Sequence, residues 1–507
     1  MRSGVLVLFQ LPLLINAIPT IEVHGNKFFY SNGTQFYIKG VAYQKDTSEI
    51  ISGETYIDPL ANKEACKRDI PYLQELQTNL IRVYAIDGLK SHEACLDMLS
   101  DAGIYVLADL SSPDKSIITT NPVWNTNVYK RYTSVIDSLQ KYDNVLGFFA
   151  GNEVITNRTN TGAASYVKAA IRDMKSYIKD QGYRKIPVGY SANDDAITRE
   201  QSAKYFACGE ENERADFYGI NMYEWCGYSS FKTSGYEERT REFSNLNIPV
   251  FFSEYGCNSV RPRKFSEVSA LFSDQMTDVW AGGIVYMYFE ENNKYGLISI
   301  SDGKVSKLDD FNNLKTQMEA VHPTTAVWFT ESVTKSSASC PTSNKDWKTN
   351  INLPPTPSDE LCQCLEGTFS CVVSHKLKDK DYGILFATVC GMVDCSEIIF
   401  NSSFSGPFSF CSARQKLSFV MNKYYKGQGE EGSACDFRGA ATLTRVHDQS
   451  KTCSEMLKSA TKTSEGKESD KGYANLSASL LSDHINVIYL SLICSTIGVL
   501  MLYTTVI

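Results

Sequence analysis

Two glutamates stand at the ends of apolar runs, and both could do acid–base or nucleophilic chemistry. The run FFAGN ends at Glu153, and the run VFFS ends at Glu254. Cleavage of a glycosidic bond needs two carboxyl groups of this kind, one protonated and one ionised. Asn152 could in addition hydrogen bond the 2-hydroxyl of a sugar. The alternative is that the two glutamates only cap strands or form ion pairs.

Further carboxylates follow most of the other apolar runs. They are Asp87, Asp109, Asp194, Asp195, Glu224, Glu290 and Glu291. The six histidines are scattered, and no Gly-rich phosphate loop follows an early strand, so the sequence predicts neither a metal site nor a nucleotide cofactor. Many acids without such a site favour glycoside chemistry that uses no cofactor.

Eight short apolar runs alternate with helix-like segments and would position these acids. The predicted strands are 36–42, 79–86, 103–110, 145–152, 186–191, 215–223, 248–254 and 282–289. Eight such βα units predict an α/β fold, a (β/α)8 TIM barrel, with a doubly wound sheet as the alternative. Barrel enzymes place their chemistry at the carboxyl ends of the strands, and strands four and seven face each other across the barrel. Glu153 and Glu254 are therefore the natural pair.

Composition supports a globular, extracellular protein. The chain has 507 residues, 43% of them hydrophobic, and a formal net charge of −8. An acidic balance without a long basic run argues against a nucleic-acid partner. The 29 tyrosines and 25 phenylalanines provide flat faces that suit sugars as well as core packing.

Both ends of the chain resemble processing signals. Residues 1–17 combine Arg2 with an apolar run and a small residue, which predicts a secretory signal peptide rather than a buried helix. The hydrophobic tail 485–507 follows small residues and no Lys or Arg comes after it, so it predicts a glycosylphosphatidylinositol (GPI) anchor signal, attached at Asn475 or Ser477. A plain transmembrane anchor is the alternative. We expect a place on the outer face of the plasma membrane, in the cell wall, or in both.

The cysteines divide the chain further. Fourteen of the fifteen precede the tail, and Cys494 would be removed with it, so seven disulfides are expected. Eight cysteines lie within 362–453, which predicts a small disulfide-rich module. Residues 335–358 have the composition of a linker, and 454–484 that of a flexible segment. Glycosylation sequons occur at Asn32, Asn157 and Asn401.

Six sequence blocks, in order, resemble glycoside hydrolase family 72, the GPI-anchored β-1,3-glucanosyltransferases of fungal cell walls. The blocks are GVAYQ at 40–44, IRVYAID at 81–87, GNE at 151–153, NDD at 193–195, NMYEWCG at 221–227 and SEYGC at 253–257. The resemblance covers about residues 20 to 340, and the cysteine-rich module 359–453 resembles the X8 (family 43) carbohydrate-binding module.

The family implies a retaining double displacement on β-1,3-glucan. Glu254 would be the nucleophile and Glu153 the acid/base, first protonating the leaving group and then deprotonating the acceptor. Transfer to the non-reducing end of another glucan would elongate it, whereas transfer to water would make the protein an endo-β-1,3-glucanase. A non-catalytic wall-binding protein is the remaining alternative. We expect the protein to be a monomer.

The resemblance also implies substrate contacts and disulfide pairs. Tyr84 and Asn152 match donor-side positions, Asp194 and Arg199 match acceptor-side positions, and Tyr286 matches a site tyrosine. Gln44, Asp109, Tyr223 and Tyr295 are expected to line the same cleft, although barrel packing of the tyrosines and an ion pair of Arg199 are alternatives. The implied pairs are Cys66–Cys95, Cys208–Cys340, Cys226–Cys257, Cys362–Cys411, Cys364–Cys453, Cys371–Cys435 and Cys390–Cys395. The barrel would span 18–334.

Overall fold

The computed structural model describes residues 18–45, 55–328, 339–349, 352–400, 405–446 and 450–465. The chain forms two units, the first ending at Thr356 and the second beginning at Pro357. The predicted signal peptide, Asn401, the two candidate anchor sites and the hydrophobic tail lie outside the described residues. Within the described ranges no helix has the length and apolar character needed to cross a membrane, and no cluster of three or more potential metal ligands occurs.

A small antiparallel sheet precedes the barrel. Its strands are β1 (Ile21–His24), β2 (Lys27–Tyr30) and β3 (Gln35–Phe36). The ring of Phe28 packs 6.1 Å from Phe217 and 6.0 Å from Phe251, which lie at the amino ends of two barrel strands. The sheet therefore covers the end of the barrel opposite the predicted catalytic end.

Eight parallel strands close into a barrel, which confirms the predicted fold class. They are β4 (Ile38–Ala42), β5 (Leu80–Val83), β6 (Tyr105–Asp109), β7 (Val145–Asn152), β8 (Val188–Asn193), β9 (Tyr218–Met222), β10 (Val250–Tyr255) and β11 (Trp280–Val285). Each pairs with the next, and β11 pairs with β4. Nearly all their residues are buried because side chains fill the barrel on one face and helices cover the other.

Helices surround the barrel and bury one apolar face each. They are α1 (Lys63–Glu75), α2 (Glu93–Asp101), α3 (Thr126–Leu139), α4 (Ala164–Asp180), α5 (Arg199–Ala207), α6 (Tyr236–Phe243), α7 (Glu267–Leu271) and α8 (Asp309–Ala320). In α4 the predicted spacing is seen, since Val167, Ile171, Met174 and Ile178 are all buried. A hairpin of β12 (Ile298–Ser301) and β13 (Lys304–Lys307) separates β11 from α8.

The predicted linker is largely part of the barrel unit. Trp347 is fully buried, and its ring lies 5.5 Å from that of Tyr205 on α5. The hydroxyl of Thr356 donates to Asp173 on α4 at 2.7 Å. Ser, Thr and Pro are frequent in linkers, but here these contacts fasten the described parts of 335–356 to the barrel.

The second unit is a small module held by disulfides around an apolar core. Its elements are α9 (Asp359–Glu366), β14 (Cys371–Val373), α10 (Tyr382–Cys390), α11 (Ala413–Gly427), β15 (Ala441–Leu443) and α12 (Lys451–Glu465). Leu417, Val420 and Met421 of α11 are fully buried. Helix α12 extends into 454–484, so the first part of the predicted flexible segment is helical and the rest lies outside the described residues.

The seven disulfides have the pairings that the family resemblance implies. In the barrel unit they are Cys66–Cys95, Cys208–Cys340 and Cys226–Cys257. In the module they are Cys362–Cys411, Cys364–Cys453, Cys371–Cys435 and Cys390–Cys395. Of the sequons, Asn32 and Asn157 are exposed.

Candidate active site

Glu153 and Glu254 lie at the carboxyl ends of β7 and β10, at the same mouth of the barrel. Glu254 belongs to β10 and is 9% exposed, whereas Glu153 directly follows β7. The backbone of Glu153 has a φ of 49°, a left-handed conformation that is uncommon outside glycine. Its amide donates to the carbonyl of Ser191 on β8 at 2.8 Å, so this turn is fixed by the neighbouring strand.

Three donors hold the carboxylate of Glu254. Its Oε1 accepts from the Tyr84 hydroxyl at 2.9 Å and from Nη1 of Arg82 at 3.4 Å, and its Oε2 accepts from the Tyr223 hydroxyl at 2.9 Å. Burial raises the pKa of Glu254, the charge of Arg82 and the bonds from the tyrosines oppose that rise, and the negative charge of Glu153 adds to it. The carboxylate is thus oriented through both oxygens.

Arg82 organises the centre of the site, although sequence reasoning did not select it. Its side chain is fully buried and binds both oxygens of Asp109 at 3.1 Å, while Nη2 donates to Asn152 at 3.0 Å. Asp109 lines the cleft as predicted, but both of its oxygens are occupied by Arg82. Its role is therefore to hold the arginine. An arginine within an otherwise apolar strand was the signal in the sequence.

Asn221 on β9 is the second residue that sequence reasoning missed. Its Nδ2 donates to Oε1 of Glu153 at 2.8 Å. Its Oδ1 accepts from the hydroxyls of Ser191 and Ser253, at 3.2 and 2.9 Å. Because these bonds fix the orientation of the amide, Asn221 also fixes the position of the Glu153 carboxyl.

A cavity of about 830 Å³ opens beside Glu254 and gathers most of the predicted donor-side residues. It is lined by Gln44, Tyr84, Asp109, Asn152, Glu254 and Tyr286, among others. Gln44 accepts from the backbone amides of Tyr84 and Ala85, at 3.1 and 3.2 Å, so it also shapes the loop after β5.

Aromatic rings form one side of the site. The ring of Tyr295 lies 5.3 Å from Tyr286 and 5.9 Å from Tyr223, and Tyr286 lies 6.4 Å from Tyr84. These are edge contacts between neighbouring rings, and the hydroxyls of Tyr84 and Tyr223 are bound to Glu254. The structure therefore brings the predicted tyrosines together, and Tyr223 additionally contacts the Glu254 carboxylate.

Asp194 and Arg199 lie together after β8, outside the lining of that cavity. Nη1 of Arg199 is 2.7 Å from Oδ1 of Asp194, and its Nε is 3.0 Å from Glu242 on α6. The ion pairing considered for Arg199 from the sequence is thus present, within a larger charged cluster.

Comparisons with known proteins show what this chain is similar to. Residues 11–322 match the glucanosyltransferase model of glycoside hydrolase family 72, and residues 369–442 match the X8 domain model. The chain is 55% identical to pH-responsive protein 2 of Candida albicans, over 87% of this chain and 82% of that protein. It is 48% identical to the 1,3-β-glucanosyltransferase gas1 of Schizosaccharomyces pombe, over 88% and 82%.

A solved structure of Saccharomyces cerevisiae Gas2p, a mutant bound to laminaritetraose and laminaripentaose, is similar as well. It has a TM-score of 0.80 and 46% identity, covering 88% of this chain and 99% of that one. Both the barrel and the module are thus accounted for by known domains. The family matches more than half of the chain, and the chain therefore belongs to the glucanosyltransferases of glycoside hydrolase family 72.

Proposed function

We propose that this 1,3-β-glucanosyltransferase elongates β-1,3-glucan by a retaining double displacement, with Glu254 as nucleophile and Glu153 as acid/base. The assignment rests on the difference between the hydrogen bonds that the two carboxyl groups receive. Glu254 is fixed through both oxygens by Tyr84, Tyr223 and Arg82, which keeps the carboxylate oriented for attack. Among the described residues, Asn221 alone donates to the Glu153 carboxyl, at Oε1, which leaves the other oxygen to exchange a proton with substrate.

In the first half of the reaction, an oxygen of Glu254 attacks the anomeric carbon of an internal glucose. The bond from that carbon to the glycosidic oxygen breaks, and Glu153 gives its proton to this oxygen as the reducing-end fragment leaves. A covalent glucosyl-enzyme ester remains. Arg82 and the two tyrosine hydroxyls then face an ester rather than a carboxylate, and they stabilise the carboxylate again when it is released.

In the second half, Glu153 acts as base. It takes the proton from the 3-hydroxyl at the non-reducing end of another glucan, and the new alkoxide attacks the anomeric carbon as the ester bond to Glu254 breaks. Two inversions give net retention, and the acceptor becomes longer. If water takes the place of the acceptor, the same steps give hydrolysis.

The surrounding residues divide between the two substrates. Tyr84, Asn152 and Tyr286 line the cavity and are proposed to bind the donor. Asp194 and Arg199, which lie outside it, are proposed to bind the acceptor. Homologous Gas2p in complex with laminari-oligosaccharides supports β-1,3-glucan as the polymer on both sides.

The cellular placement follows from the family and from the ends of the chain. Relatives named as 1,3-β-glucanosyltransferases fit a secreted or cell-wall protein. We propose further that residues 1–17 direct secretion, that a GPI anchor is attached at Asn475 or Ser477, that Asn32, Asn157 and Asn401 carry glycans, and that the enzyme acts as a monomer. Support for these points is the sequence pattern.

Laminari-oligosaccharides incubated with the enzyme test the assignment. Products longer than the substrate are expected, and exclusively shorter products would show a plain endo-glucanase. We expect Glu153→Gln and Glu254→Gln each to lower the rate at least a thousandfold, because each removes a group that takes part in bond making or breaking. Glu64→Gln, an exposed position on α1, is the matched control. Full activity in either site variant would refute the roles.

A further inference from the structure

Five charged side chains form a cluster at the proposed binding site for the acceptor glucan. The proposed reaction uses only two of them. The acid–arginine cluster consists of Asp194 after β8, Arg199 on α5, Glu224 after β9, and Arg239 and Glu242 on α6. Nη1 of Arg199 lies 2.7 Å from Asp194 and 3.7 Å from Glu224. Arg239 lies 3.9 Å from Glu224 and 3.1 Å from Glu242.

The cluster contains one carboxyl more than its arginines can balance. Three carboxyl groups face two guanidinium groups, so full ionisation leaves an excess negative charge in a largely buried place. The carboxyls of Asp194 and Glu224 both approach Nη1 of Arg199, at 2.7 and 3.7 Å, and two carboxylates offer no donor, so these two can share a hydrogen bond only when one of them is protonated. Burial, followed by the charge of Asp194, raises the pKa of Glu224 to about 7.

The backbone at Gly235 leaves room for the Glu224 carboxyl in this position. Its Oε2 is buried and has no hydrogen-bond partner among the described residues. Gly235 faces it with a φ of 89°, and a Cβ at that position would lie 2.5 Å from Oε2. Glycine therefore leaves room for the carboxyl at a place where any other residue would displace it.

We propose that Glu224 is a positioning residue: it shares a proton with Asp194 in a hydrogen bond and so holds Asp194 and Arg199 in the arrangement that receives the acceptor glucan. The inference rests on the proposed acceptor role of Asp194 and Arg199. Without the shared proton, Glu224 and Asp194 repel each other and compete for the same nitrogen of Arg199. Transfer then falls relative to hydrolysis, since water needs no such site.

Other charged and titratable groups face the cluster from each element around it. Asp195 adjoins Asp194, and Glu200 on α5 and Glu238 on α6 act on Glu242. Tyr236 on α6 faces both Glu224 and Asp194. The negative charges favour protonation of the pair, whereas Arg199 opposes it. The shared proton is therefore present at acidic pH and is lost as the pH rises through about 7.

The ratio of transfer to hydrolysis, measured between pH 5 and pH 8.5 on laminari-oligosaccharides, tests the inference. For the unaltered enzyme we expect the ratio to fall about tenfold across that range, as for loss of a hydrogen bond to a charged group. Glu224→Gln keeps a donor that does not titrate, so its ratio should stay near the acidic value throughout. Glu224→Ala should lower the ratio about tenfold already at pH 5. Glu237→Gln, at an exposed position on the same helix, should behave as the unaltered enzyme.

Several outcomes would overturn the inference. One is a pH-independent ratio in the unaltered enzyme, and another is a Glu224→Gln profile that falls as the unaltered one does. Thermal unfolding shows whether the Glu224→Ala variant is folded. If it is not, the pH dependence of the transfer-to-hydrolysis ratio in Glu224→Gln tests the inference by itself. Absence of longer products from the unaltered enzyme would instead refute the proposed function, which separates the two failures.

Discussion

At the scale of single residues, the two catalytic carboxyl groups could be predicted, but the residues that hydrogen bond them could not. Glu153 and Glu254 could be selected because each follows an apolar strand, and barrels present chemistry at strand ends. Arg82 and Asn221 lie within strands, where a sequence pattern shows a polar residue but not its partner. Only the closed barrel brings Arg82 of β5 to Glu254 of β10, 172 positions away.

Tyr223→Phe should move the acidic limb of the pH–rate profile to higher pH. The Tyr223 hydroxyl donates to the Glu254 carboxylate and so lowers its pKa; without it, the pKa rises further and the nucleophile is protonated earlier as the pH falls. Loss of this bond should also reduce kcat/KM by about tenfold to a hundredfold at the optimum.

The measurement is kcat/KM against pH for the two enzymes. Tyr228→Phe is the control, because Tyr228 lies on the same loop and is 88% exposed. A lower rate with an unmoved acidic limb would show that Tyr223 only positions Glu254 and does not tune its protonation.

At the scale of elements, the eight barrel strands were predictable because buried parallel strands appear as continuous apolar runs. The N-terminal sheet was not anticipated, since its strands have two to four residues and gain stability only from the barrel end that they cover. Helix α12 was assigned to a flexible segment because its composition is polar; the bond between Cys364 and Cys453 fastens its first turn to the module.

Helix α7 carries a buried carboxyl that should make stability depend on pH. Burial raises the pKa of Glu267 from its ordinary value of 4.5 to about 7. Between these values the folded protein keeps a proton that the unfolded chain has lost, so the free energy of unfolding falls as the pH rises and levels off above about 7. The loss is about 3 kcal/mol, from 2.5 pH units at 1.36 kcal/mol each.

Glu267→Gln should remove most of this slope and raise the melting temperature at pH 8. Melting curves at pH 5 and pH 8 measure it, with Glu319→Gln as the control because that side chain is 49% exposed on α8. An equal fall between the two pH values in the Gln variant would show that other groups cause the slope.

At the scale of the whole molecule, composition located the cysteine-rich module but did not show how the segment before it packs on the barrel. The density of cysteines in 362–453 predicts a small disulfide-linked unit, although it does not predict the fold of that unit. Polar residues between 335 and 358 predicted a linker, and the described part of this segment as far as Thr356 groups with the first unit. A single tryptophan, Trp347, was the signal, because a large apolar side chain has little reason to occur in a free linker.

Trp347→Ala should destabilise the first unit by about 3–5 kcal/mol, the usual cost of removing a fully buried aromatic side chain. A lower melting temperature for that unit is expected, with transfer activity at 25 °C retained. Lys345→Ala, where the side chain is 89% exposed, should leave the melting temperature unchanged. Equal melting temperatures for the two variants would contradict a packing role for this segment.

The disulfide between Cys208 and Cys340 can form only after a delay during synthesis of the chain. Its two cysteines are 132 residues apart, and at about 5–20 residues per second the ribosome needs roughly 7 to 26 s to supply the second after the first. Cys66 and Cys95 are made before Cys208, and Cys226 and Cys257 emerge within that interval, so four incorrect partners exist before the correct one. Translation speed and thiol exchange, as well as the final stability, therefore decide how much of the newly made chain acquires its native pairing.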